Sequence, residues 1–189
     1  PELFQADVML IADGGNVAAG TPTITTALRG GAQLKVAVDT LRAPVHSGLF
    51  GGVAPDATLA LMRALNSLFD DNGHTVIRGF EPTDDAKWHW DGASYDAATF
   101  RSDAGVLDGV GLHGTGTDEE IAAQLWSRPA ATVTALSSRP TSDVVNAVTH
   151  HAEAVVNLRV PFHLDTQDVV EAAAQQIRDA VPFDARIKV

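Results

Sequence analysis

The chain has 189 residues and carries 24 Asp and Glu against 13 Lys and Arg, a net charge of −11. An acidic surface of that size argues against binding nucleic-acid phosphates, which runs on clustered cations, and the lack of cysteine excludes disulfide scaffolds and thiolate metal sites. No run approaches the roughly 18 apolar residues of a membrane span, and 45% hydrophobic with 20% charged residues is the make-up of an ordinary globular domain.

Residues 7–12 (DVMLIA) form a short apolar run that ends at Asp13-Gly14-Gly15, the pattern of a buried strand entering a turn. Residues 21–28 are rich in β-branched side chains. In residues 33–39, Leu34, Val36 and Val38 alternate with Lys35, Ala37 and Asp39. These two segments read as strands of a hairpin joined at Gly30-Gly31. A glycine-rich loop covers 44–55. A helix follows, capped by Asp56, with Leu61, Met62, Leu65, Leu68 and Phe69 at helical spacing and a stop at 70–73. A short strand is expected at 75–77. Residues 78–129, with many Asp and Gly, read as an insertion with short helices near 96–103 and 118–127.

Regular patterning resumes at 131–136, a strand. In residues 152–160, Ala154, Val156, Leu158 and Val160 face a core, and Val155, Asn157 and Arg159 face away. Asp165 or Thr166 starts a last helix with Val169, Val170, Ala173 and Ile177 on one stripe, and Asp168 in its first turn suits the helix dipole. Residues 185–189 add a final strand. The expected fold is α+β: a two-layer sandwich of a four-stranded antiparallel sheet with two helices on one face, ferredoxin-like, plus the irregular, partly helical insertion. Its open face and edge call for a partner domain or a second copy.

The loop PVHSGLFGGV (44–53) sets His46 among Gly48, Gly51 and Gly52. Glycines permit tight backbone approach, and an imidazole held there could donate to a developing oxyanion. Composition alone favours a solvated surface histidine.

HSGLFGG (46–52), preceded by IADGG (11–15) and ALRG (27–30), resembles the pattern of the M20 zinc peptidases, most of all the dipeptidase branch with its carnosinase-like enzymes. The resemblance continues in order through YDAATFRSDAGV (95–106), QLWSRP (124–129), NAVT (146–149) and VNLRVP (156–161), and so covers nearly the whole chain. It implies a di-zinc dipeptidase in which Asp13 ligates one metal ion. His46 would reach into the partner subunit's active site as an oxyanion-stabilising group. Arg159 would hold the substrate's terminal carboxylate with its guanidinium fork. Asn146 would help bind substrate, and Gly51 and Gly52 would shape the His46 loop. Three positions depart from the family pattern: Thr149 stands where the family has proline, His150-His151 replace a small and an acidic residue, and Asn157 replaces serine.

The family's remaining metal ligands and its glutamate general base have no counterpart in the chain. The expectation is a middle segment of a longer cytoplasmic enzyme, beginning as it does with Pro1. Residues 1–20 would belong to the catalytic domain, and 21–189 would be the dimerisation or lid domain, inactive by itself. Expected partners are a second copy, the catalytic domain and a dipeptide or acyl-amino acid; no nucleic acid or membrane is expected.

Three other signals point to no site. Residues 109–114 match G-x-G-x-x-G, but no strand precedes them, so a loop is expected rather than a dinucleotide site. His150 and His151 point to opposite faces of a strand and make poor co-ligands. Lys87-Trp88-His89-Trp90 reads as anchoring rather than base stacking. The competing function is a non-enzymatic α+β regulatory module that binds a small carboxylate through Arg159.

Overall fold

The computed structural model describes residues 6–10, 20–81 and 95–189. Its main sheet has four strands, β1 (Gly30–Asp39), β3 (Ala130–Ser137), β5 (His151–Val160) and β6 (Arg186–Lys188), in the order β3-β5-β1-β6 with every neighbour antiparallel. Helices α2 (Ala57–Asn66) and α5 (Thr166–Ala180) pack against β1 and β5. This is the expected two-layer ferredoxin-like sandwich. A two-stranded ribbon pairs β2 (Val45–His46) with β4 (Ala147–Val148), and the four-residue helix α1 (Ser47–Phe50) follows β2. The insertion carries α3 (Ala97–Asp103) and α4 (Asp118–Trp126), close to the expected limits.

Strict alternation builds the core. Leu34, Val36 and Val38 of β1 and Ala152, Ala154, Val156, Leu158 and Val160 of β5 are buried under the helices. Leu61 and Leu65 of α2 and Val169, Ala173 and Ile177 of α5 close over them. Met62 is about half exposed, so α2 keeps part of its apolar surface outside this core.

Asp56 caps α2, its Oδ1 accepting from Leu59 N at 2.9 Å, while its Oδ2 lies 3.4 Å from the Thr149 N–H that donates to it. The Ala57 N–H returns a bond to the Thr149 carbonyl at 3.0 Å. A proline at position 149 would lack the donor used here, which gives the departure from the family pattern a structural role. Asp165 caps α5 by accepting from Gln167 N and Asp168 N.

Among the described residues, Gln176 is the buried polar side chain. Its amide nitrogen donates to the carbonyls of Ser67 and Val76, and its Oε1 accepts from Arg78 N at 2.9 Å. One side chain thus satisfies three backbone groups of the segment that follows α2. Gln176→Leu is expected to cost about 3 kcal/mol, because it orphans those groups. Urea unfolding checks this, and an unchanged midpoint would refute it.

Four expectations need correction. Residues 22–29 form no strand, and β1 starts at Gly30, so there is no hairpin at Gly30-Gly31. The glycines serve close approach instead. A Cβ on Gly30 would lie 2.6 Å from Thr166 Oγ1, and one on Gly31 would lie 3.0 Å from Arg159 Nη1. The helix expected through Phe69 stops at Asn66, where the Ser67 hydroxyl bonds back to the Ala64 carbonyl at 2.7 Å. Residues 75–77 reach only a single bridge, Phe69 to Thr75. In the described part of the first apolar run, Val8, Met9 and Leu10 are exposed and form no strand.

The insertion is tied to the sandwich at His74. Its Nδ1 lies 3.3 Å from Asp70 Oδ2 and its Nε2 lies 2.9 Å from Glu120 Oε1. Glu120 also accepts from the Thr115 hydroxyl and from the Thr115 and Gly116 N–H groups, and these bonds hold its carboxyl below the ordinary range, the hydroxyl most. Residues 109–114 follow α3 as loop, with left-handed glycines at 109 and 114, so the dinucleotide reading is excluded.

Candidate functional site at the two ends of the sheet

His46 ends β2, opposite Ala147 of β4, and caps α1 with its own imidazole. Nδ1 accepts from the Gly48 N–H at 3.1 Å. That bond leaves the ring proton on Nε2, the atom free to donate outward. The Ser47 N–H bonds to the Asn146 carbonyl at 2.9 Å, so the ribbon holds Asn146 beside the His46 loop. Both residues are exposed.

The glycines do structural work here. The Gly51 N–H bonds to the Ser47 carbonyl at 2.8 Å, and a Cβ on Gly51 would collide with that oxygen. Gly52 has φ +82°, the left-handed region. The same loop exposes Leu49, Phe50 and Val53, and the segment entering β4 exposes Val144 and Val145.

Arg159 lies at the other end. It sits opposite Gly31 of β1 and Ala130 of β3, whereas the ribbon bearing His46 and Asn146 joins the sheet at its Asp39–His151 end. Eight residues of strand separate His151 from Arg159, roughly 27 Å at the usual rise per residue. A dipeptide spans about 7 Å. The structure therefore brings His46 and Asn146 together and keeps Arg159 away from both. Asp13, the expected metal ligand, and residues 87–90 lie outside the described residues.

At the His46 end, the outer sheet face carries a chain of charges. His151 Nδ1 is 2.7 Å from Asp39 Oδ1 and its Nε2 is 3.3 Å from Glu153 Oε1, while Lys35 Nζ is 3.0 Å from Glu153 Oε2. The hydrogen bond to Asp39, aided by both carboxylate charges, holds the His151 imidazole above its ordinary value of 6.5. His151 is thus ion-paired on the outer face. A raised folded value means stabilisation that is complete below 6.5 and lost as pH rises through the folded value. Stability of the native chain should fall over that window, and His151→Gln should flatten the fall. Thermal midpoints at several pH values check this, and parallel profiles would refute it.

An open edge of the sheet, expected to need a cover, is β3 among the described residues. Strand β3 is an eight-residue edge with exposed Val133 and Leu136. Beside it, Met62, Leu65, Asn66 and Phe69 complete an apolar groove between α2 and β3. The half-exposed Met62 was visible in the sequence as part of the α2 stripe, but nothing there set α2 beside this edge.

Residues 26–185 match the peptidase dimerisation domain of the M20 peptidases. This chain belongs to that family. The chain is 53% identical over all 189 residues to a cysteinylglycine-S-conjugate dipeptidase of Corynebacterium striatum, of which it spans 40%. An M20 family metallo-carboxypeptidase from Sulfolobus solfataricus shares its fold, with a TM-score of 0.70 and 20% identity over 93% of this chain and 46% of that one. So does the dipeptidase Dug1p from Saccharomyces cerevisiae, with a TM-score of 0.66 and 18% identity over 85% of this chain and 35% of that one. The chain thus carries a peptidase dimerisation domain and spans less than half of the Corynebacterium striatum dipeptidase's length. Relatives are named as metallo-enzymes, yet the described residues contain no group of three or more His, Asp or Glu placed to hold a metal ion. What these residues offer is hydrogen-bonding and charge, not a metal cage. No described helix is long and apolar enough to cross a membrane.

Proposed function

We propose that this domain dimerises a cytoplasmic di-zinc dipeptidase, and that each active site takes Arg159 from one chain and His46 from the other. In this reading Arg159 binds the terminal carboxylate of the substrate. His46 donates from Nε2 to the charge that develops on the scissile carbonyl oxygen, with Asn146 beside it. Gly51 and Gly52 hold the loop in shape. The metal ions belong to a catalytic domain that includes residues 1–20, with Asp13 as this chain's contribution. Residues 21–189, insertion 78–129 included, are the lid.

The observation that carries this reading is the distance of roughly 27 Å along the sheet between the His46 end and Arg159. Pairing β3 with the β3 of a second copy, antiparallel about a two-fold axis, reverses the strand direction across the interface. One chain's His46 end then lies alongside the other chain's Arg159 end. The α2–β3 groove supplies apolar surface for that contact, and the exposed side chains flanking His46 supply it for docking on the partner's catalytic domain.

For substrate, the 53% identical relative points to S-conjugates of cysteinylglycine. The test is glycine release from an S-substituted cysteinylglycine by the full-length protein, before and after chelation and zinc return. Zinc-dependent release is expected, with none from residues 1–189 alone. Failure of the zinc-loaded, dimeric full-length protein to release glycine would overturn the substrate assignment.

A further inference from the structure

His46 sits on a ribbon too small to hold its own orientation. Strands β2 and β4 share two rungs, Val45 with Val148 and His46 with Ala147, and a two-stranded ribbon by itself is marginally stable at best. The aim of the imidazole is therefore set where the ribbon leaves the main sheet. That root is short: two residues join β4 to β5, and five join β1 to β2.

Backbone bonds hold part of the root. Thr40 N donates to the His150 carbonyl at 3.0 Å, one step beyond the β1–β5 ladder, and Ala57 N donates to the Thr149 carbonyl at 3.0 Å. The last rung of the ladder sets Asp39 opposite His151 and adds a bond between side chains, with His151 Nδ1 2.7 Å from Asp39 Oδ1. This bond ties together the two strands that feed the two arms of the ribbon. Glu153, two residues further along β5, lies 3.3 Å from His151 Nε2 and gives its other oxygen to Lys35 of β1 at 3.0 Å. From β6, Arg186 stands opposite Asp39. On the ribbon side, His150 and the Arg139–Asp143 ion pair line one cavity with His151. The two groups within reach of the ring nitrogens are both carboxylates, so the site favours the charged ring.

We propose that His151 is a positioning residue for His46: charged and bonded to Asp39, it pins the root of the ribbon and keeps the His46 imidazole aimed at the substrate. This rests on the reading of His46 as the oxyanion donor and adds a regulation to it. The bond to Asp39 is the main cause that holds His151 above its ordinary value of 6.5. The pin is thus complete below 6.5 and weakens as pH rises through the folded value. A neutral ring can donate to only one of the two carboxylates.

Steady-state kinetics of the full-length, zinc-loaded dimer on an S-substituted cysteinylglycine test the pin, from about pH 5 to 8, where histidine titrates. The ratio of native to His151→Gln kcat should be about threefold at the acid end and near one at the alkaline end, with KM little changed. His151→Arg keeps its cation throughout, so its kcat should stay about threefold above that of His151→Gln across the range. In a His46→Ala background, His151→Gln should cost nothing more, because no imidazole is left to aim. A side chain that merely stabilised the fold would lower kcat equally in both backgrounds. If His46→Ala loses turnover while the native-to-Gln ratio is one at every pH, or the His151→Gln loss persists without His46, the pin is overturned and the reading of His46 stands. If His46→Ala keeps full turnover, the reading of His46 fails and the pin fails with it. Should His151→Gln not fold, Asp39→Asn removes the same charge pair from the other strand, and a native kcat profile there overturns the proposal equally.

Discussion

His46→Ala in the full-length protein is expected to cut turnover about 100- to 1000-fold, the usual cost of removing one oxyanion donor. KM should change little, because the interaction strengthens only as charge develops on the carbonyl oxygen. The structure indicates that such a loss would be chemical and not structural. His46 is exposed, and its side chain accepts a local hydrogen bond from Gly48 N. It caps a helix of only four residues, so truncation should cost no more than about 1 kcal/mol of stability. Turnover with a saturating dipeptide, read beside circular dichroism and gel filtration, checks the claim. Full turnover in a folded, dimeric His46→Ala enzyme would contradict it.

Leu136→Lys should take the dimer apart. Leu136 is about half exposed on an edge strand whose backbone groups lack a strand neighbour on one side among the described residues. It lines the groove with Met62, Phe69 and Val133. A two-fold interface uses each position twice. Losing two buried leucines, at about 2–3 kcal/mol each, weakens association by roughly 4–6 kcal/mol, or about a thousandfold or more in Kd. Analytical ultracentrifugation of the full-length variant should show monomers at concentrations where the native protein is dimeric. Turnover should fall with them, because a monomer has no second His46 to draw on. A dimer of native affinity would remove the β3 edge from the account.

The sandwich was legible because its core obeys simple periods. Alternation in β1 and β5 and the α5 stripe predicted which side chains are buried, and Asp56 and Asp165 predicted where two helices begin. What misled was glycine. Gly30-Gly31 has the composition of a turn, yet the pair lies inside a strand so that Thr166 and Arg159 can approach. Nothing in the local sequence distinguishes a glycine that turns the chain from one that makes room for a side chain far away.

The candidate site was legible in its parts but not in its arrangement. The loop that presents His46 was read from its glycines, and Arg159 from the family resemblance of the segment VNLRVP. Their separation depends on the order of strands in the sheet, which no local pattern encodes. The bridge from Glu120 to His74, and Gln176 reaching the segment after α2, link residues far apart in sequence and become visible only in the folded chain.

The central claim is that one site draws its two end groups from two chains, and mixed dimers test it most directly. Full-length His46→Ala and full-length Arg159→Met are each prepared, dissociated together and reassembled. A heterodimer assembled in trans has one site with both groups intact and one with neither, so random reassortment should return about a quarter of native activity. Activity that stays at the level of the two separate variants, with heterodimers demonstrably formed, would mean that His46 and Arg159 act within a single chain.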